Sequence, residues 1–459
     1  MNRKQDIMGK RKITPAELAR WAGYFTLDAL RGGVVRRRYE QDLYAYRHGT
    51  SLMETEGRIR SLIAHAVHTT EFYGSFSENA ELADLPVVNK NTFREHYDAF
   101  RSSLYRDAKD NRVMTTSGST GTPLAMIQDR NKILMNTADS IFLGALGGYH
   151  IGEKMAFIRV WVNNVRKTRI QLMMENSIMM DSSSLSDEAI EEMLRAIRTE
   201  KVKCLIGYSS ALGEISRYID RKGVDMSDFV VHAIIPISET MPDQDRARLS
   251  AQFGCPVRAW YSNEENGIMG LQNPGDNSIY INSESYYYEI LKMDSDEPAP
   301  DGELGRIVIT DLTNYAFPIL RYDNGDTAVA ERKVKDGRFR LTLKELYGRR
   351  SDLLYDTSGR AVTPYVITNN LWNAEGVSQY RFLQLGLKEY ELRLNGDRAV
   401  MDPEDLIGRI RPSLGEDAVI RVTYVDEIPV LSSGKRKYIE NLCPEYMPGG
   451  GGASREERS

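Results

Sequence analysis

The sequence predicts an α/β protein with a β-rich subdomain and a small α+β domain towards its C-terminal end. In the middle of the chain, short apolar runs alternate with amphipathic helical segments, which is typical of parallel strands connected by helices. After Gly270, strand-like segments follow one another and are separated by turn sequences rich in Gly, Pro and Asp. At YGRRSD, residues 347–352, the pattern changes again.

The individual elements follow from these periodicities. From Thr14 to about Val67 the apolar residues have helical spacing, and Thr14-Pro15-Ala16-Glu17 is typical of a capped helix start. The alternating part has predicted strands at Met155–Trp161, Lys203–Gly207, Val230–Pro236 and Val257–Trp260, and predicted helices at Asp187–Thr199, Ala211–Arg221 and Asp243–Phe253. The β-rich part has the segments YYYEIL, LGRIVIT, TAVAERKV and GRFRLTL, with PAPDGE, DNGD and KDGR as turns.

These patterns divide the chain into domains. We expect a large N-terminal domain over residues 1–348 with parallel and mixed sheets flanked by helices, a hinge over 349–354, a small mobile α+β domain over 355–447 and a disordered tail over 448–459. The small domain is predicted to contain strands Tyr380–Leu387, Glu389–Leu394 and Val419–Val425 and a helix Glu404–Ile410.

Composition excludes some classes of function. The 459 residues are 41% hydrophobic and 27% charged, with a formal net charge of -5 and a pI near 5.9, so nothing favours nucleic acid or an anionic membrane as a partner. No run approaches the roughly 18 apolar residues of a membrane span. The three cysteines form no disulfide or metal-binding pattern, so we expect a cytoplasmic protein. We also expect a monomer or a homodimer.

The segment VMTTSGSTGTPLAM, residues 113–126, is a candidate phosphate-binding loop. Its glycines allow backbone N–H groups to face an anion, and its hydroxyl side chains add further donors. These residues are Thr115, Thr116, Ser117, Gly118, Ser119, Thr120 and Gly121. Pro123 stands where a Walker loop has its second glycine, so a kinase-like P-loop is not expected. By itself, the composition also fits a polar linker.

Four further motifs follow in order: YSNEENG at 261–267, FPILRYDNGD at 317–326, YGRRSD at 347–352 and IPVLSSGK at 428–435. Together with the loop, they resemble the motifs of the adenylate-forming acyl-ligase superfamily, which includes acyl-CoA synthetases, adenylation domains and luciferases. The resemblance is greatest to the phenylacetate-CoA ligase-like branch, including capsular polysaccharide biosynthesis proteins of that type.

The resemblance implies roles for individual residues. Glu265 would be the carboxylate that contacts Mg²⁺, and Tyr261 would lie against the nucleotide. Asp326 would accept hydrogen bonds from the ribose hydroxyls, although Asp-Asn-Gly-Asp is also strong turn chemistry. Ser238 and Glu239 would lie in the loop beside the adenine.

The remaining roles concern the hinge and the catalytic groups. Arg349 would contact the nucleotide, and Ser351 or Asp352 would be the pivot of the hinge. Lys435 would be the catalytic lysine that neutralises charge between the substrate carboxylate and the α-phosphate, with Thr116 of the loop assisting.

The implied activity is an enzyme reaction, the ATP- and Mg²⁺-dependent activation of a small carboxylic acid. The carboxylate attacks the α-phosphate, pyrophosphate leaves, and the acyl group of the acyl-AMP passes to CoA. Two departures leave alternatives open. The loop has Thr122 where the family often has a lysine, and Leu354–Arg360 replaces a basic, glycine-containing stretch. An amide ligase acting on an amine or amino sugar, in secondary-metabolite or polysaccharide biosynthesis, therefore stays a candidate, as does a non-catalytic nucleotide-binding protein.

The aromatic residues Trp161 and Tyr208 fall at the ends of predicted strands. At such positions they could line a pocket for the acyl group, although buried aromatic residues more often fill cores. The sequence does not identify the acid.

Overall fold

The computed structural model describes residues 13–444 except 116–123, 162–167, 350–352, 363–366, 368–369, 372–373 and 430–436. The chain divides into two compact units. The first takes the chain up to Met241, then 245–324 and 328–346, and the second takes 242–244, 325–327 and the chain from Tyr347 onward.

Several helices begin at a residue whose side chain caps the first turn. At the first helix, Thr14 and Glu17 form the predicted capping box, in which each side chain accepts a hydrogen bond from the other residue's amide. The helices are α1 Pro15–Leu30, α2 Val34–His48, α3 Leu52–Thr69, α4 Lys90–Glu95, α5 Arg130–Gly147, α6 Arg169–Glu175, α7 Asp187–Thr199, α8 Ser209–Lys222, α9 Asp243–Phe253 and α10 Pro403–Leu414.

In the described residues, most strands are shorter than the helices. In chain order they are β1 Thr50–Ser51, β2 Arg112–Thr115, β3 Ala125–Gln128, β4 Met155–Arg159, β5 Ser177–Asp181, β6 Cys204–Tyr208, β7 Ala233–Ile237, β8 Trp260–Asn263, β9 Gly267–Gln272, β10 Ile279–Ile281, β11 Tyr286–Leu291, β12 Leu304–Asp311, β13 Tyr322–Lys335, β14 Arg338–Arg349, β15 Leu354–Tyr355, β16 Ala361–Val362, β17 Val377–Gln384, β18 Glu389–Gly396, β19 Val419–Tyr424 and β20 Ile439–Asn441.

A four-stranded parallel sheet forms the centre of the first unit. Its order is β5-β4-β6-β7, so the chain leaves β4 for one neighbour and later returns to the other side of β4. The strands β6 and β7 are buried along their whole length, as expected for parallel strands that are covered on both faces, whereas the edge strand β5 is partly exposed. Helix α7 packs on the sheet with Ile190, Met193, Leu194 and Ile197, which have helical spacing.

A second sheet, most of whose residues belong to the first unit, has eight strands in the order β11-β12-β13-β14-β10-β9-β8, with β1 added beside β14. The pair β1–β14 joins Thr50 to Phe339, and it brings the helical N-terminal region onto the β-rich part of the chain. The turn between β8 and β9 and the start of β13 carry two of the sequence motifs.

The second unit contains a four-stranded sheet of order β19-β18-β17-β20 together with the β15–β16 hairpin and α10. The pair β17–β18 is antiparallel, whereas β19 and β20 pair in parallel with their neighbours. Apolar residues of α10 and of the strands share one core.

The predicted fold class is confirmed, and the structure corrects three local predictions. The segment DNGD, predicted as a turn, lies inside β13, where Gly325 with φ of 83° lets the strand continue. The strand predicted at Val257–Trp260 begins only at Trp260, and Val257 makes a single bridge to Ile234. Strand β5, SIMMD, was missed, because three consecutive apolar residues are too short a run to indicate a strand. The predicted tail, 448–459, lies outside the described residues.

Candidate active site

The turn between β8 and β9 holds Glu265 in a buried position. The side chain of Asn263 accepts a hydrogen bond from the amide of Asn266 at 2.6 Å, which closes the turn. Gly267 follows with φ of 105°, and a Cβ there would lie 2.8 Å from Oδ1 of Asn136. A glycine is therefore favoured at this position of the motif, both because φ is positive and because a side chain would collide with Asn136. Glu265 itself is 5% exposed.

The motif at the start of β13 meets this turn. The hydroxyl of Tyr322 donates a hydrogen bond to Oε1 of Glu265 at 3.2 Å, and the side-chain amide of Asn324 donates to the hydroxyl of Tyr261 at 2.8 Å. All four side chains are buried. Two motifs that lie more than 50 residues apart in the sequence therefore interlock through a pair of hydrogen bonds.

Lys90 is a site residue that sequence reasoning missed. Its ammonium group lies 3.1 Å from Oε1 of Glu265. The backbone explains the position: Val88 pairs in parallel with Tyr322, and the amide of Asp323 donates to the carbonyl of Val88 at 2.8 Å. Helix α4 then starts at Lys90, so the strand that carries the second motif also fixes this lysine.

A buried polar cluster supports the same turn from beneath. Lys132 and Asp311, both 0% exposed, form an ion pair, and the ammonium group of Lys132 also donates to the hydroxyl of Tyr286 at 3.1 Å. That hydroxyl in turn donates to the carbonyl of Asn266 at 2.6 Å. Burial, together with the negative charge of Asp311, raises the pKa of Tyr286 well above its usual value, so the hydroxyl remains a donor.

The residues predicted to lie beside the adenine follow β7. Ser238 is exposed and has φ of 68°, a left-handed conformation that is uncommon for serine. A carboxylate oxygen of Glu239 accepts a hydrogen bond from the amide of Ser210 at 2.9 Å, and its carbonyl accepts one from the hydroxyl of Ser209 at 2.8 Å. The loop after β7 is thereby attached to the start of α8.

Three further side chains lie at the carboxyl ends of the parallel strands. Arg159 ends β4, Trp161 follows it, and Tyr208 ends β6. The guanidinium carbon of Arg159 is 5.5 Å from the ring centroid of Trp161 and 5.9 Å from that of Tyr208. Burial raises the pKa of the Tyr208 hydroxyl, and the charge of Arg159 opposes this shift. The aromatic residues that the sequence singled out are thus partners of an arginine.

Within the second unit, Asp326 and Arg349 form an ion pair. Nε of Arg349 is 3.5 Å from a carboxylate oxygen of Asp326, and the side chains are 55% and 14% exposed, respectively. A Cβ on Gly325 would lie 3.4 Å from the same guanidinium. The structure thus brings together the two residues to which the resemblance gives nucleotide contacts in this unit.

Several predicted site residues lie outside the described residues. They are Thr116, Ser117, Gly118, Ser119, Thr120, Gly121, Ser351, Asp352 and Lys435. Of the candidate phosphate loop, Thr115 is described: it ends β2 and is exposed. Within the described ranges, no group of three or more His, Cys, Asp or Glu side chains could hold a metal ion. Among the described helices, none combines the length and apolar character needed to cross a membrane.

Comparison with solved structures decides the fold. A 2-hydroxyisobutyryl-CoA ligase in the postadenylation state, in complex with R3-HIB-AMP, superposes with a TM-score of 0.66 at 17% identity, over 84% of this chain and 88% of the ligase. The fold is that of the adenylate-forming ligases. The amide bond synthetase McbA of Marinactinospora thermotolerans shares this fold, with a TM-score of 0.51 at 16% identity over 70% of this chain and 66% of McbA.

Sequence comparison gives the same assignment. Residues 354–442 match the model of the CapK C-terminal domain. Protein CapK of Staphylococcus aureus is 21% identical over 432 residues, which cover 88% of this chain and 92% of CapK. Phenylacetate-coenzyme A ligase of Thermus thermophilus is 23% identical over 341 residues, which cover 65% of this chain and 70% of the ligase. The resemblance to the phenylacetate-CoA ligase-like branch is confirmed. The similar ligases and the amide bond synthetase are enzymes, in agreement with the prediction that this protein is an enzyme.

Proposed function

We propose that this protein activates a carboxylic acid with ATP, forms an acyl-AMP with release of pyrophosphate, and transfers the acyl group to CoA. The observation that carries the proposal is the interlocking of the two motifs around Glu265. The carboxylate of Glu265 lies 3.2 Å from the hydroxyl of Tyr322 and 3.1 Å from the ammonium group of Lys90, so its position is fixed. Stabilisation of the charge that develops during attack on a phosphate requires groups with fixed positions.

Glu265 fits a role as a magnesium carboxylate. Mg²⁺ is commonly bound by one or two protein carboxylates together with phosphate oxygens of the substrate, and Glu265 is a single buried carboxylate in a rigid turn. When bound, Mg²⁺ would offset negative charge on the ATP phosphates. Lys90 adds a positive charge at the same place, and the candidate phosphate loop has Thr122 where relatives often have a lysine. We propose that Lys90 supplies part of the charge that the loop lacks.

The other nucleotide contacts follow the motifs. We assign the ribose hydroxyls to Asp326 with Arg349 beside it, the adenine side to Ser238 and Glu239, and the phosphates to the loop from Thr115 to Gly121. Lys435 is assigned the catalytic role. The domain boundaries, with a hinge over 349–354, and a monomeric or homodimeric state in the cytoplasm belong to the same proposal. The cysteines of the described residues are buried and form no disulfide with one another, which suits a reducing compartment.

Pyrophosphate exchange tests the first half-reaction. The purified protein is incubated with MgATP, labelled pyrophosphate and a panel of aryl, aliphatic and amino acids, and we expect exchange into ATP with at least one class of acid. Lys435→Ala should reduce that exchange by at least about 100-fold while ATP binding is retained. Lys437→Ala is the matched control, because Lys437 is paired with Glu440 at 3.1 Å in the second unit. Exchange by Lys435→Ala equal to that of the control would overturn the catalytic assignment.

An amine acceptor is the second candidate. The segment after the predicted hinge folds as a turn in which Asp356 accepts hydrogen bonds from the amides of Ser358 and Arg360, and Arg360 pairs with its carboxylate at 2.9 Å. Arg360 therefore interacts within its own turn. In a CoA ligase, a basic stretch at this place would be expected to contact the phosphates of CoA. Product analysis with CoA and with an amine such as glucosamine in the same mixture separates the two: a thioester supports the first candidate and an amide the second.

A further inference from the structure

The parallel sheet of the first unit has a topological switch point at β4. The chain passes from β4 to β5 on one side, and β6 lies on the other side. At such a point the connections after two neighbouring strands run in opposite directions, and they leave a crevice outside the carboxyl ends of the strands. Open α/β sheets bind their ligands in this crevice. In this protein, the crevice lies at the ends of β4 and β6, where Arg159 and Tyr208 are the last strand residues.

Arg159 lies at this crevice, and among the described residues no carboxylate acts as its counter-ion. Its side chain is partly buried, and Nε is buried without a hydrogen-bond partner among the described residues. No carboxylate of the described part of the chain forms an ion pair with its guanidinium at 4.0 Å or less. The sequence that follows, VNNVRK at 162–167, contains no acidic residue. A partly buried guanidinium that is not neutralised costs free energy unless a ligand supplies the anion.

The two aromatic rings fix the guanidinium. Trp161 donates its indole N–H to the carbonyl of Met180 at 3.0 Å, which holds the ring against β5, and Tyr208 is buried at the start of α8. Rings near the guanidinium stabilise the cation while leaving N–H groups along its edge as donors. Those donors have the spacing of a carboxylate and bind it through two parallel hydrogen bonds.

Among the described residues, the nearby carboxylates Glu239 and Glu264 do not form an ion pair with the guanidinium of Arg159. Glu239 and Glu264 are close enough to Tyr208 for their charges to raise its pKa, after the larger effect of burial. Glu239 uses one carboxylate oxygen for the amide of Ser210, at the start of α8. Glu264 is exposed in the turn after β8. Arg159 belongs to β4, whereas Glu239 follows β7 and Glu264 follows β8, and neither carboxylate forms a described ion pair with Arg159.

We propose that the acid activated by this protein carries a second anionic group, a carboxylate or a group of the same charge, which Arg159 binds at the carboxyl ends of β4 and β6. The inference rests on the proposed function and adds the substrate class to it. A neutral acyl group in this crevice would leave the guanidinium unpaired, so the site selects for charge at the far end of the acid.

The test compares acids that differ only in this charge. Glutarate and isophthalate are paired with their half-amides, glutaramate and 3-carbamoylbenzoate, which have nearly the same size. Two quantities are measured for each acid: kcat/KM in pyrophosphate exchange, and the dissociation constant by calorimetry in the presence of a non-hydrolysable ATP analogue. For the native protein, the diacid of at least one pair should be preferred roughly 10- to 100-fold in both quantities.

Variants assign this preference to Arg159. Arg159→Gln should reduce the ratio of diacid to half-amide by at least about 10-fold, and Arg159→Lys should retain part of it because the charge remains. Arg198→Gln is the matched control: Arg198 lies on α7 and not at the ends of β4 and β6, and its guanidinium carbon is 4.9 Å from the ring centroid of Phe229. Thermal unfolding of each variant checks that it is folded.

The outcomes separate this inference from the proposed function. Half-amides that equal or exceed both diacids in the native protein overturn it, as does an Arg159→Gln variant that weakens both members of a pair equally. If no acid supports exchange, the proposed function fails, and calorimetry alone decides the inference: a diacid preference lost in Arg159→Gln supports it, and the lack of a preference overturns it.

Discussion

Lys90→Met removes the ammonium group that lies 3.1 Å from Glu265. The two side chains are 26% and 5% exposed, so the variant leaves a carboxylate that has little access to water. Two unit charges at this distance interact by about 5 kcal/mol at an effective dielectric constant of about 20. Solvent at Lys90 and the remaining hydrogen bond from Tyr322 reduce the loss, and we expect the free energy of unfolding to fall by about 2 kcal/mol.

A double-mutant cycle measures this interaction directly. Urea unfolding of Lys90→Met, Glu265→Gln and the double variant gives the coupling free energy of the pair, which we expect to be about 2 kcal/mol. The matched control is the pair Lys154–Glu200, at 2.9 Å, in which the lysine is similarly exposed at 23% but the carboxylate is 50% exposed. Its coupling should lie below about 1 kcal/mol. Equal couplings in the two cycles would refute the argument that burial of the carboxylate makes the difference.

Three further predictions concern the turn and the first helix. Gly267→Ala should lower the free energy of unfolding by about 2 kcal/mol or more, because Gly267 has a positive φ and an added Cβ would contact Asn136. Chemical denaturation measures this loss, and an unchanged stability would contradict the described turn. Tyr261→Phe removes the acceptor of a buried hydrogen bond and should cost about 1 kcal/mol in the same assay, whereas a stabilised variant would contradict that bond. Burial raises the pKa of Glu17, but the hydrogen bond and charge of Lys203 together with the hydrogen bonds from Thr14 outweigh burial, so the pKa lies below its usual value of 4.5. The stabilisation by Glu17 is therefore complete above pH 4.5 and is lost as the pH falls through the lowered pKa of the folded protein. The native protein should exceed Glu17→Gln in unfolding free energy by about 1 kcal/mol at pH 7, and this difference should shrink in acid. A difference that does not depend on pH would contradict the ion pair.

The sequence predicted the elements whose cause is local. The capping box at Thr14 and Glu17, the helices over Asp187–Thr199 and Asp243–Phe253 and the strand YYYEIL, Tyr286–Leu291, occur at the predicted residues, because side-chain spacing and caps determine them. The motif around Glu265 was found for the same reason, since its turn is built from neighbouring residues.

Contacts between distant segments could not be predicted in this way. Lys90 is 175 positions from Glu265, and nothing in the sequence around it distinguishes it from other lysines that begin short helices. The pairing of Val88 with Tyr322, which places it, is a tertiary contact. Arg159 was likewise not predicted as a site residue, whereas the aromatic residues Trp161 and Tyr208 near it were. The segment DNGD misled because its composition favours a turn, whereas pairing with neighbouring strands keeps it extended.

The short pairing of β1 with β14 has a consequence for how the chain folds as it is made. Thr50 can find Phe339 only after nearly 290 further residues have been synthesised. At about 5 to 20 residues per second, the ribosome needs roughly 15 to 60 s for this, while an isolated hairpin forms in microseconds. During that interval the N-terminal helices exist without the strand that they later flank, and the parallel sheet of β4 to β7 can assemble first. The order of synthesis thus favours a nascent chain whose central sheet is complete before its first strand is paired.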